Sequence, residues 1–551
     1  MNETSLLAQQ SQVSPIGYTS SDVLATVVAE ASIGEALGQL NVAHMLVEGE
    51  NGVCLAPVSG MVPVADALNR VPVLSYLGAL LPEQLGDTSF CRDLGIRYPY
   101  VGGAMANGIA SVELVSAMSR AGMLGFFGAA GLPVPAVEAA VDRLIADLGD
   151  GSFGVNVIHS PNEPAVEMAV VDLMLDKGVR LIEASAFMKI TAPIVKYRLT
   201  GIYRGEDGMV VTPNHIVAKL SRQELAEKFF SPAPEKLVQE LLALGEITAE
   251  EAVLSAEIPV AQDVTAEADS GGHTDHRPAL SLLPTLLFLK DRMQELHDYP
   301  VRLRVGLGGG ISTPSSALAA FSMGAAYLVT GSVNQACQES GTSDIVRQML
   351  AETRQADVAK APAADMFEMG VTVQVVKRGT MFPMRGNKLY ELYRAYDCLE
   401  DIPAEERMKL ERQIFRATFA EVWASTKAFF EERDPRQVER AEADPKHKMA
   451  LVFRSYLGQA SMWANRGVVD RKMDYQIWCG PAMGAFNEWA RDTFLDDYTQ
   501  RGVEVVGKNI LYGAAVLSRV QEGRRVGLPL SAQVLNIKPQ PLAAIEVYFS
   551  V

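Results

Sequence analysis

The stretch LRVGLGGGISTPSSALAAFSMGAAYLVTGS, residues 303–332, contains two short β-rich runs separated by a helical stretch. Small residues follow each run, as GLGGGIS after the first and TGS after the second. A strand, a glycine-rich turn and a helix in succession are typical of a βα unit, which builds a parallel sheet. The stretch therefore predicts two consecutive βα units.

The same alternation begins at about residue 98 and produces eight β-rich runs. These runs are residues 98–104, 123–130, 152–158, 180–187, 215–221, 258–268, 303–310 and 325–332. Helical stretches such as VPAVEAAVDRLIADLG lie between most of them. Eight strands with intervening helices predict an α/β fold, namely a (β/α)8 TIM barrel over residues 98–340.

Three parts of the chain do not belong to a simple barrel. Residues 1–97 mix a helical piece with short β-like pieces and predict a small N-terminal α+β unit. KYRLTGIYRGEDGMVVTP, residues 196–213, has two strand-like stretches around Gly-Glu-Asp-Gly and predicts an inserted β-hairpin. Residues 341–551 carry apolar residues at three- and four-residue spacing, which predicts a mainly helical C-terminal region.

Composition limits the class of protein. The 551 residues are 48% hydrophobic and 21% charged, which is typical of a globular protein with a large core. We expect a cytoplasmic location and no membrane partner, because no long apolar run or secretory pattern occurs. A net charge of −17 argues against nucleic acid as a partner, since phosphates are bound by Lys and Arg. Five widely spaced cysteines predict neither disulfides nor structural zinc.

The turns after the last two predicted strands are candidates for phosphate binding. Gly309 and Gly310 follow the seventh strand, and Gly331 and Ser332 follow the eighth. Glycines allow a backbone to approach an anion closely, and backbone amides at such turns can bind it. A single Gly-Gly-Gly is more often just a tight turn, but two such turns after neighbouring strands favour a phosphorylated cofactor or substrate.

Two further predicted loops and one strand carry candidate residues. Gly103, Ala104 and Met105 follow the first strand, where small residues either admit a flat ring or simply pack barrel against helix. Asn156 lies inside the apolar run FGVNVI, where an unpaired amide would cost about 1–3 kcal/mol. A neighbouring residue or the polar edge of a cofactor ring could satisfy it. Lys189 follows the fourth strand and lies either near such a ring or in solvent.

EADSGGHTDHRP, residues 267–278, contains two of the seven histidines of the chain. His273 and His276 could ligate a metal, but no third ligand lies at a suitable spacing, so we expect none. Gly271 and Gly272 let the backbone turn close to a bound group. His273 is then a candidate general acid or hydrogen-bond donor near neutral pH. The alternative is a polar loop with a surface histidine.

Taken together, these motifs resemble the flavin-dependent barrels of the nitronate monooxygenase and FMN-type enoyl reductase superfamily. The motifs YPYVGGAMANGIAS, FGVNVIHSPNEP, ADSGGHTDHRP and GGGISTPSSALAAFSMGAAYLVTGSVNQ are similar to those of its PfaD-type family. The members of that family are enoyl reductases of polyunsaturated fatty acid synthases and of polyketide synthases that take their acyltransferase in trans. The resemblance extends from about residue 90 to residue 520.

The resemblance implies a bound FMN that NADPH or NADH reduces, and reduction of the carbon–carbon double bond of an enoyl thioester. The thioester would be carried by the acyl carrier protein of a polyketide or fatty acid synthase complex. His273 would donate a proton or orient the substrate. The implied cofactor contacts are Gly103, Ala104 and Met105 on the isoalloxazine, Asn156 on its polar edge, Gly271 and Gly272 on the ribityl-phosphate side, and Gly309, Gly310, Gly331 and Ser332 on the phosphate.

Two other functions stay open at this point. The same barrel could serve as a flavin monooxygenase or oxidase that uses O2, or the chain could be a non-catalytic docking component of a synthase. We expect the helical region 341–551 to face the substrate or its carrier. Its basic stretch KRGTMFPMRGNK and the cluster Arg519, Arg524 and Arg525 are either contacts for an acidic carrier or solvated surface.

Overall fold

A closed barrel lies at the centre of the molecule in a computed structural model, which describes residues 14–62, 70–160, 164–272 and 274–549. The strands, in chain order, are β1 (Gly17–Ser20), β2 (His44–Gly49), β3 (Gly52–Pro57), β4 (Met61–Val62), β5 (Arg70–Leu77), β6 (Tyr100–Gly102), β7 (Leu124–Phe127), β8 (Gly154–Ile158), β9 (Leu181–Ser185), β10 (Tyr203–Arg204), β11 (Val210–Val211), β12 (His215–Leu220), β13 (Asp263–Glu267), β14 (Arg304–Gly308), β15 (Leu328–Thr330), β16 (Val358–Pro362) and β17 (Thr372–Val376).

The α-helices surround this barrel and continue beyond it. In chain order they are α1 (Ile33–Gly38), α2 (Thr88–Asp93), α3 (Val112–Arg120), α4 (Val134–Leu148), α5 (Pro164–Asp176), α6 (Ala192–Leu199), α7 (Gln223–Phe230), α8 (Glu235–Ala243), α9 (Ala249–Leu254), α10 (Ala279–His297), α11 (Pro314–Ser322), α12 (Ser332–Gln335), α13 (Asp344–Ala351), α14 (Phe382–Ala395), α15 (Ala404–Leu410), α16 (Phe419–Arg433), α17 (Pro435–Ala443), α18 (Pro445–Arg466), α19 (Ala482–Ala490), α20 (Val503–Arg525) and α21 (Leu542–Ile545).

The barrel contains one strand from each of the eight predicted runs. Strands β6 to β9 and β12 to β15 pair in parallel, and β15 closes the ring against β6 with Leu328 beside Tyr100. The predicted (β/α)8 fold is therefore confirmed. The strands are shorter than the runs, most clearly in residues 258–268, where only Asp263–Glu267 forms β13.

The amino end of the barrel is closed by α2. Phe90 on α2 stacks on Tyr327 with the ring centroids 4.0 Å apart, and both side chains are fully buried. The Tyr327 hydroxyl hydrogen-bonds the Thr265 hydroxyl across the interior at 3.0 Å. The bottom of the barrel is thus packed, so a cavity can form only toward the carboxyl ends of the strands.

The N-terminal unit is an antiparallel sheet in the order β3-β2-β5-β1-β4. Its predicted helical piece is shorter than the sequence indicates: VLATVVAEASIGEALGQL forms two short 3-10 turns and the six-residue α1. The predicted hairpin is present as β10 and β11, with Tyr203 opposite Val211. Its strands are also shorter, because residues 192–199 continue as helix α6.

The C-terminal region is mainly helical, as predicted, and has two parts. One part has its own apolar core around the two-stranded sheet β16–β17, with Phe367, Phe382 and Phe453 fully buried there. The other part, α20, packs between α11 and α3 and completes the outer helical ring of the barrel. The barrel therefore includes a helix far beyond residue 340, the predicted C-terminal boundary.

Helix α20 also anchors the N-terminal unit. Arg519, which the sequence suggested as a surface contact, is 3% exposed. Its guanidinium donates to the backbone carbonyls of Gln39 at 2.6 Å and Val42 at 2.7 Å. Arg519 is therefore a structural residue. Within the described ranges, no helix is long and apolar enough to cross a membrane.

A buried ion pair joins two neighbouring barrel strands at the amino end of the barrel. Arg304 on β14 binds both carboxylate oxygens of Asp263 on β13, at 2.7 and 3.0 Å, and each side chain is 1% exposed. Arg304 also donates to Asp93 of α2 at 2.6 Å. This cluster therefore connects helix α2, which closes the amino end, to the barrel strands.

We predict that Asp263→Asn lowers the free energy of unfolding by about 3–5 kcal/mol, because it removes a buried countercharge from Arg304. Urea unfolding at pH 7 measures the change. The matched control is Glu113→Gln, which breaks an ion pair with Arg143 whose two side chains are more than half exposed. The control should unfold like the unchanged protein. Equal effects of the two substitutions would contradict the role of the buried pair.

Candidate active site

An open cavity lies at the carboxyl ends of the barrel strands. Most of the residues predicted from the sequence meet there. Those that line the cavity are Gly103, Ala104, Met105, Asn156, Gly271, Gly272, Gly309, Gly310, Gly331 and Ser332. Lys189 is exposed and does not line it, and His273 lies outside the described residues.

The glycine turns after β14 and β15 form one side of the cavity. Gly309 has a φ of +91°, and a Cβ atom there would lie 2.8 Å from the Ala268 carbonyl carbon. Around Gly310 and Gly331, in contrast, a Cβ atom would meet nothing within 4 Å. The absence of a side chain at Gly309 therefore lets the turn pack closely against the Ala268 backbone. At Gly310 and Gly331 it leaves the backbone accessible from the cavity.

Asn156 is satisfied partly by its neighbours. The Asn156 amide nitrogen donates to the Glu183 carbonyl at 3.1 Å and to the Ser185 hydroxyl at 2.9 Å. Both amide hydrogens are thus used within the barrel. The carbonyl oxygen of this side chain is the group that can accept a hydrogen bond from a ligand.

A buried charge cluster at the cavity was missed by the sequence interpretation. The Lys219 ammonium group lies 3.6 Å from a Glu183 oxygen and 3.4 Å from a Glu267 oxygen. Glu183 is fully buried, and one of its oxygens accepts the Ala104 backbone N–H at 3.1 Å while the other has no hydrogen-bond partner. Lys219 and Glu267 line the cavity.

The electrostatics of this cluster follow from its burial. Burial raises the pKa of Glu183, and nearby Lys219 only partly offsets this effect. Burial alone would lower the pKa of Lys219, but the two carboxylates raise it above its usual value. Lys219 is therefore a permanent cation at the cavity wall. Lys189, the lysine predicted from the sequence, is exposed and does not line this cavity.

The loop after β13 is hydrogen-bonded to residues that follow β12 and to a residue on β17. Asp275 accepts hydrogen bonds from Arg222 at 2.7 Å and from Ser221 at 2.9 Å, and the first of these lowers the Asp275 pKa to about 2. His276 has a φ of +54° and hydrogen-bonds Asp269 at 2.8 Å. Gln374 on β17 donates to the same carboxylate of Asp269.

His276 therefore supports the loop that carries Gly271 and Gly272. Its ring nitrogen Nδ1 lies within hydrogen-bond distance of the Asp269 carboxylate and of the Gln374 amide nitrogen. Among the described residues, no group of three or more His, Cys, Asp or Glu side chains could hold a metal ion.

The C-terminal region forms the roof of the cavity. Val373, Trp478, Gly480 and Ala482 line it. The Gly480 N–H donates to the Ser332 hydroxyl at 3.1 Å, and a Cβ atom at Gly271 would lie 3.0 Å from the Cys479 backbone nitrogen. The two loops therefore pack backbone to backbone. The cluster of small and turn residues in WCGPAMG, within a helical region, is the sequence signal for this roof.

Residues 89–378 match the family described as nitronate monooxygenase, and residues 396–475 match the inserted helical domain of [acyl-carrier-protein] S-malonyltransferase. The chain is 37% identical to a crystal structure of the enoyl reductase domain of MlnA, from the macrolactin biosynthesis cluster of Bacillus amyloliquefaciens. The TM-score is 0.77, and the match covers 80% of this chain and 99% of that one.

Curated relatives agree with this match. The chain is 51% identical to one of the polyunsaturated fatty acid synthase subunits of Thraustochytrium sp., over 79% of this chain and 30% of the relative. It is 44% identical to the polyketide biosynthesis protein PksE of Bacillus subtilis, over 79% of this chain and 56% of the relative.

The chain therefore belongs to the nitronate monooxygenase family. Within that family, the PfaD-type branch predicted from its motifs is confirmed by its relatives among polyketide and polyunsaturated fatty acid synthase proteins. The chain spans between 22% and 56% of the length of the curated relatives that it matches.

We predict that Lys219→Met makes the stability of the protein depend strongly on pH. A folded-state pKa of Glu183 raised above its ordinary 4.5 means that the folded chain retains a proton that the unfolded chain releases. Stability then falls as pH rises from 4.5 through the folded-state pKa. Loss of the Lys219 charge raises the folded-state pKa of Glu183 further, so the pH range over which stability falls becomes wider. The free energy of unfolding of the variant should therefore be lower by about 3–5 kcal/mol at about pH 8 and by less at about pH 5.5.

Urea unfolding at the two pH values checks this prediction. The control is Lys409→Met, since Lys409 pairs with Glu405 on the surface, with both side chains more than half exposed. If Lys219→Met and Lys409→Met show the same pH dependence, Lys219 does not neutralise the buried carboxylates.

Proposed function

We propose that the chain is an FMN-dependent enoyl reductase that uses NADPH or NADH to saturate enoyl thioesters on an acyl carrier protein. It would act within a polyketide or polyunsaturated fatty acid synthase. The single observation that carries this proposal is the glycine-lined barrel cavity, in a chain that is 37% identical over 99% of a solved enoyl reductase domain.

The open glycine turns fit the phosphate of FMN. Gly310 and Gly331 leave free the space that a side chain would fill, so backbone amides can approach an anion there. Gly309 keeps the first turn in a conformation that other residues rarely adopt. In an acidic chain, a phosphate is better accepted by such backbone groups than by a basic surface.

The turn after β6, which lies beside β15, and the strand β8 fit the flavin ring. The turn Gly103–Met105 offers small residues against which a flat ring can lie, and the Asn156 carbonyl oxygen offers an acceptor for a ring N–H. The cationic Lys219 offers positive charge to a ring that becomes electron-rich on reduction. When bound, FMN would accept a hydride from the nicotinamide and deliver it to the β-carbon of the thioester.

The residues of the chain would supply orientation and a proton. Negative charge develops on the thioester oxygen during hydride transfer, so a donor at that oxygen lowers the barrier. The α-carbon must then gain a proton. His273, which follows Gly272 in the sequence, is our proposed donor or orienting residue. The roof residues Trp478 and Val373 would exclude water from the reacting atoms.

A carrier protein is the partner that the C-terminal region favours. Its residues 396–475 are similar to the inserted helical domain of an enzyme whose name gives acyl carrier protein as its substrate. The relatives in polyketide and polyunsaturated fatty acid synthases support the same partner. A monooxygenase reaction with O2 is a second candidate, because the matched family is named for that activity.

One assay separates these functions. Purified protein is incubated with FMN, NADPH and crotonyl-acyl carrier protein under nitrogen. Saturation of the double bond without O2 supports the reductase, whereas turnover that requires O2 supports the monooxygenase. If the protein is colourless and cannot be reconstituted with FMN, the result supports a non-catalytic docking component of a synthase.

We predict that Gly331→Ala weakens FMN binding about tenfold or more without lowering the melting temperature. The added methyl group meets no protein atom but enters the space proposed for the phosphate, and a lost charged hydrogen bond has this magnitude. Fluorescence quenching of FMN measures the affinity. Gly309→Ala is the contrast, since its strain and its contact with Ala268 should lower stability as well. Unchanged FMN affinity in Gly331→Ala would argue against this phosphate site.

We predict that His273→Ala retains FMN but lowers kcat for crotonyl thioester reduction about 100-fold or more, the usual range for loss of a general acid. Anaerobic stopped-flow absorbance separates flavin reduction by NADPH, which should be unchanged, from flavin reoxidation by the thioester, which should slow. His297→Gln is the matched control, because His297 ends α10 and does not line the cavity. Rapid reoxidation in His273→Ala would remove the proposed role.

A further inference from the structure

A second open cavity adjoins the candidate active site. Ala186, Lys219 and Glu267 line both cavities, so the two spaces meet at the charge cluster. The proposed cofactor and the proposed proton donor use only the first cavity. The second extends away from the glycine turns, between α7 and the segment that precedes β17.

Seven of the fifteen residues that line the second cavity are apolar, and they provide its hydrocarbon surface. Phe187 and Met188 follow β9, Leu220 ends β12 and Leu225 lies on α7. Met366 and Val371 come from the C-terminal region. Met188 is 43% exposed although it is a large apolar residue, so this wall lacks a protein partner of its own.

The charges of the second cavity do not select an anion. Its lining holds three cationic and three anionic side chains, Lys219, Arg222 and Lys228 against Glu224, Glu267 and Asp275. Arg222 is already bound to Asp275. A phosphate or a dinucleotide would therefore find no net positive charge here, whereas a hydrocarbon requires none.

We propose that the second cavity binds the aliphatic chain of the enoyl thioester, on the side of the double bond away from the sulfur. This inference rests on the proposed function. The reacting double bond then lies at the junction beside Lys219 and Glu267, and the chain extends along Phe187, Leu225 and Val371. A pantetheine arm fits less well, because the Ser221 and Thr274 hydroxyls that could meet its amides already donate to Asp275 and to the Glu267 backbone carbonyl.

Chain length is the measurable consequence. Each methylene that leaves water for an apolar wall raises kcat/KM about fourfold until the cavity is filled. Crotonyl, octenoyl and dodecenoyl thioesters on one acyl carrier protein should therefore show rising kcat/KM with the unchanged protein. Calorimetric binding of the corresponding saturated thioesters should show the same order, independently of turnover.

Val371→Trp narrows the cavity and is the main variant. It should leave kcat/KM for the crotonyl thioester within about twofold and lower that for the dodecenoyl thioester more than about tenfold, since several methylenes lose their contacts. Met188→Trp, on the opposite and partly exposed wall, should act in the same direction without disturbing a packed core. Met369→Trp is the matched control, because Met369 is 58% exposed in the same segment and does not line the cavity.

The outcomes distinguish this inference from the proposed function. If no thioester is reduced but saturated thioesters still bind in order of length, and Val371→Trp abolishes that order, the chain site stands and the reductase proposal fails. Equal effects on short and long chains would overturn the chain site. The chain site would also be overturned if Val371→Trp affected reduction of the carrier-bound crotonyl thioester but not of crotonyl N-acetylcysteamine, because that result indicates the pantetheine arm. An effect of Val371→Trp on the KM for NADPH alone would overturn it as well.

Discussion

Closure of the barrel is the constraint on which the rest of the structure depends. Once β15 pairs with β6, all eight parallel strands must end at a single rim. Residues separated by more than 200 positions, such as Gly103 and Ser332, then line the same cavity. The C-terminal helix α20 fills the outer ring between α11 and α3, so the chain beyond the last strand also contributes to this closure.

The charges inside this ring are costly to bury. Lys219, Glu183 and Glu267 together carry two carboxylates for one ammonium group, and Glu183 keeps one oxygen without a hydrogen-bond partner. Burying such groups costs several kcal/mol per ion, and apolar residues of similar size would pack more favourably. Groups with strongly perturbed pKa values beside a cavity are typical of functional sites. The cluster is therefore better explained by chemistry at the cavity than by stability.

Much of the fold could be predicted from the sequence because the turns after strands are rich in glycine and the strands are short apolar runs. The site was predicted less completely, for a physical reason. Side chains of a strand alternate between two sides, so Val217 and Lys219 on β12 share the interior side while Ile216 and Ala218 face the helices. The same alternation places Glu183 two residues after Leu181 inside the barrel. A polar or charged residue at an interior position of an apolar strand is thus a readable signal in the sequence, and it identified Asn156 but not Lys219. Lys189 was favoured because it follows a strand, where loops carry function, but its loop leaves it in solvent.

The two cavities are subject to different physical requirements. The barrel cavity needs a backbone that a ligand can approach closely at Gly310 and Gly331. It also needs a charge cluster in which Lys219 neutralises buried carboxylates, so that removal of one member leaves another charge unpaired. The second cavity depends on apolar contact, which has no direction and tolerates exchange among side chains of similar volume. Because Met366 and Val371 come from outside the barrel, the shape of the second cavity can change while the barrel strands stay as they are. For the proposed reductase, the fold thus separates the residues proposed to fix the chemistry from the residues proposed to adjust the substrate.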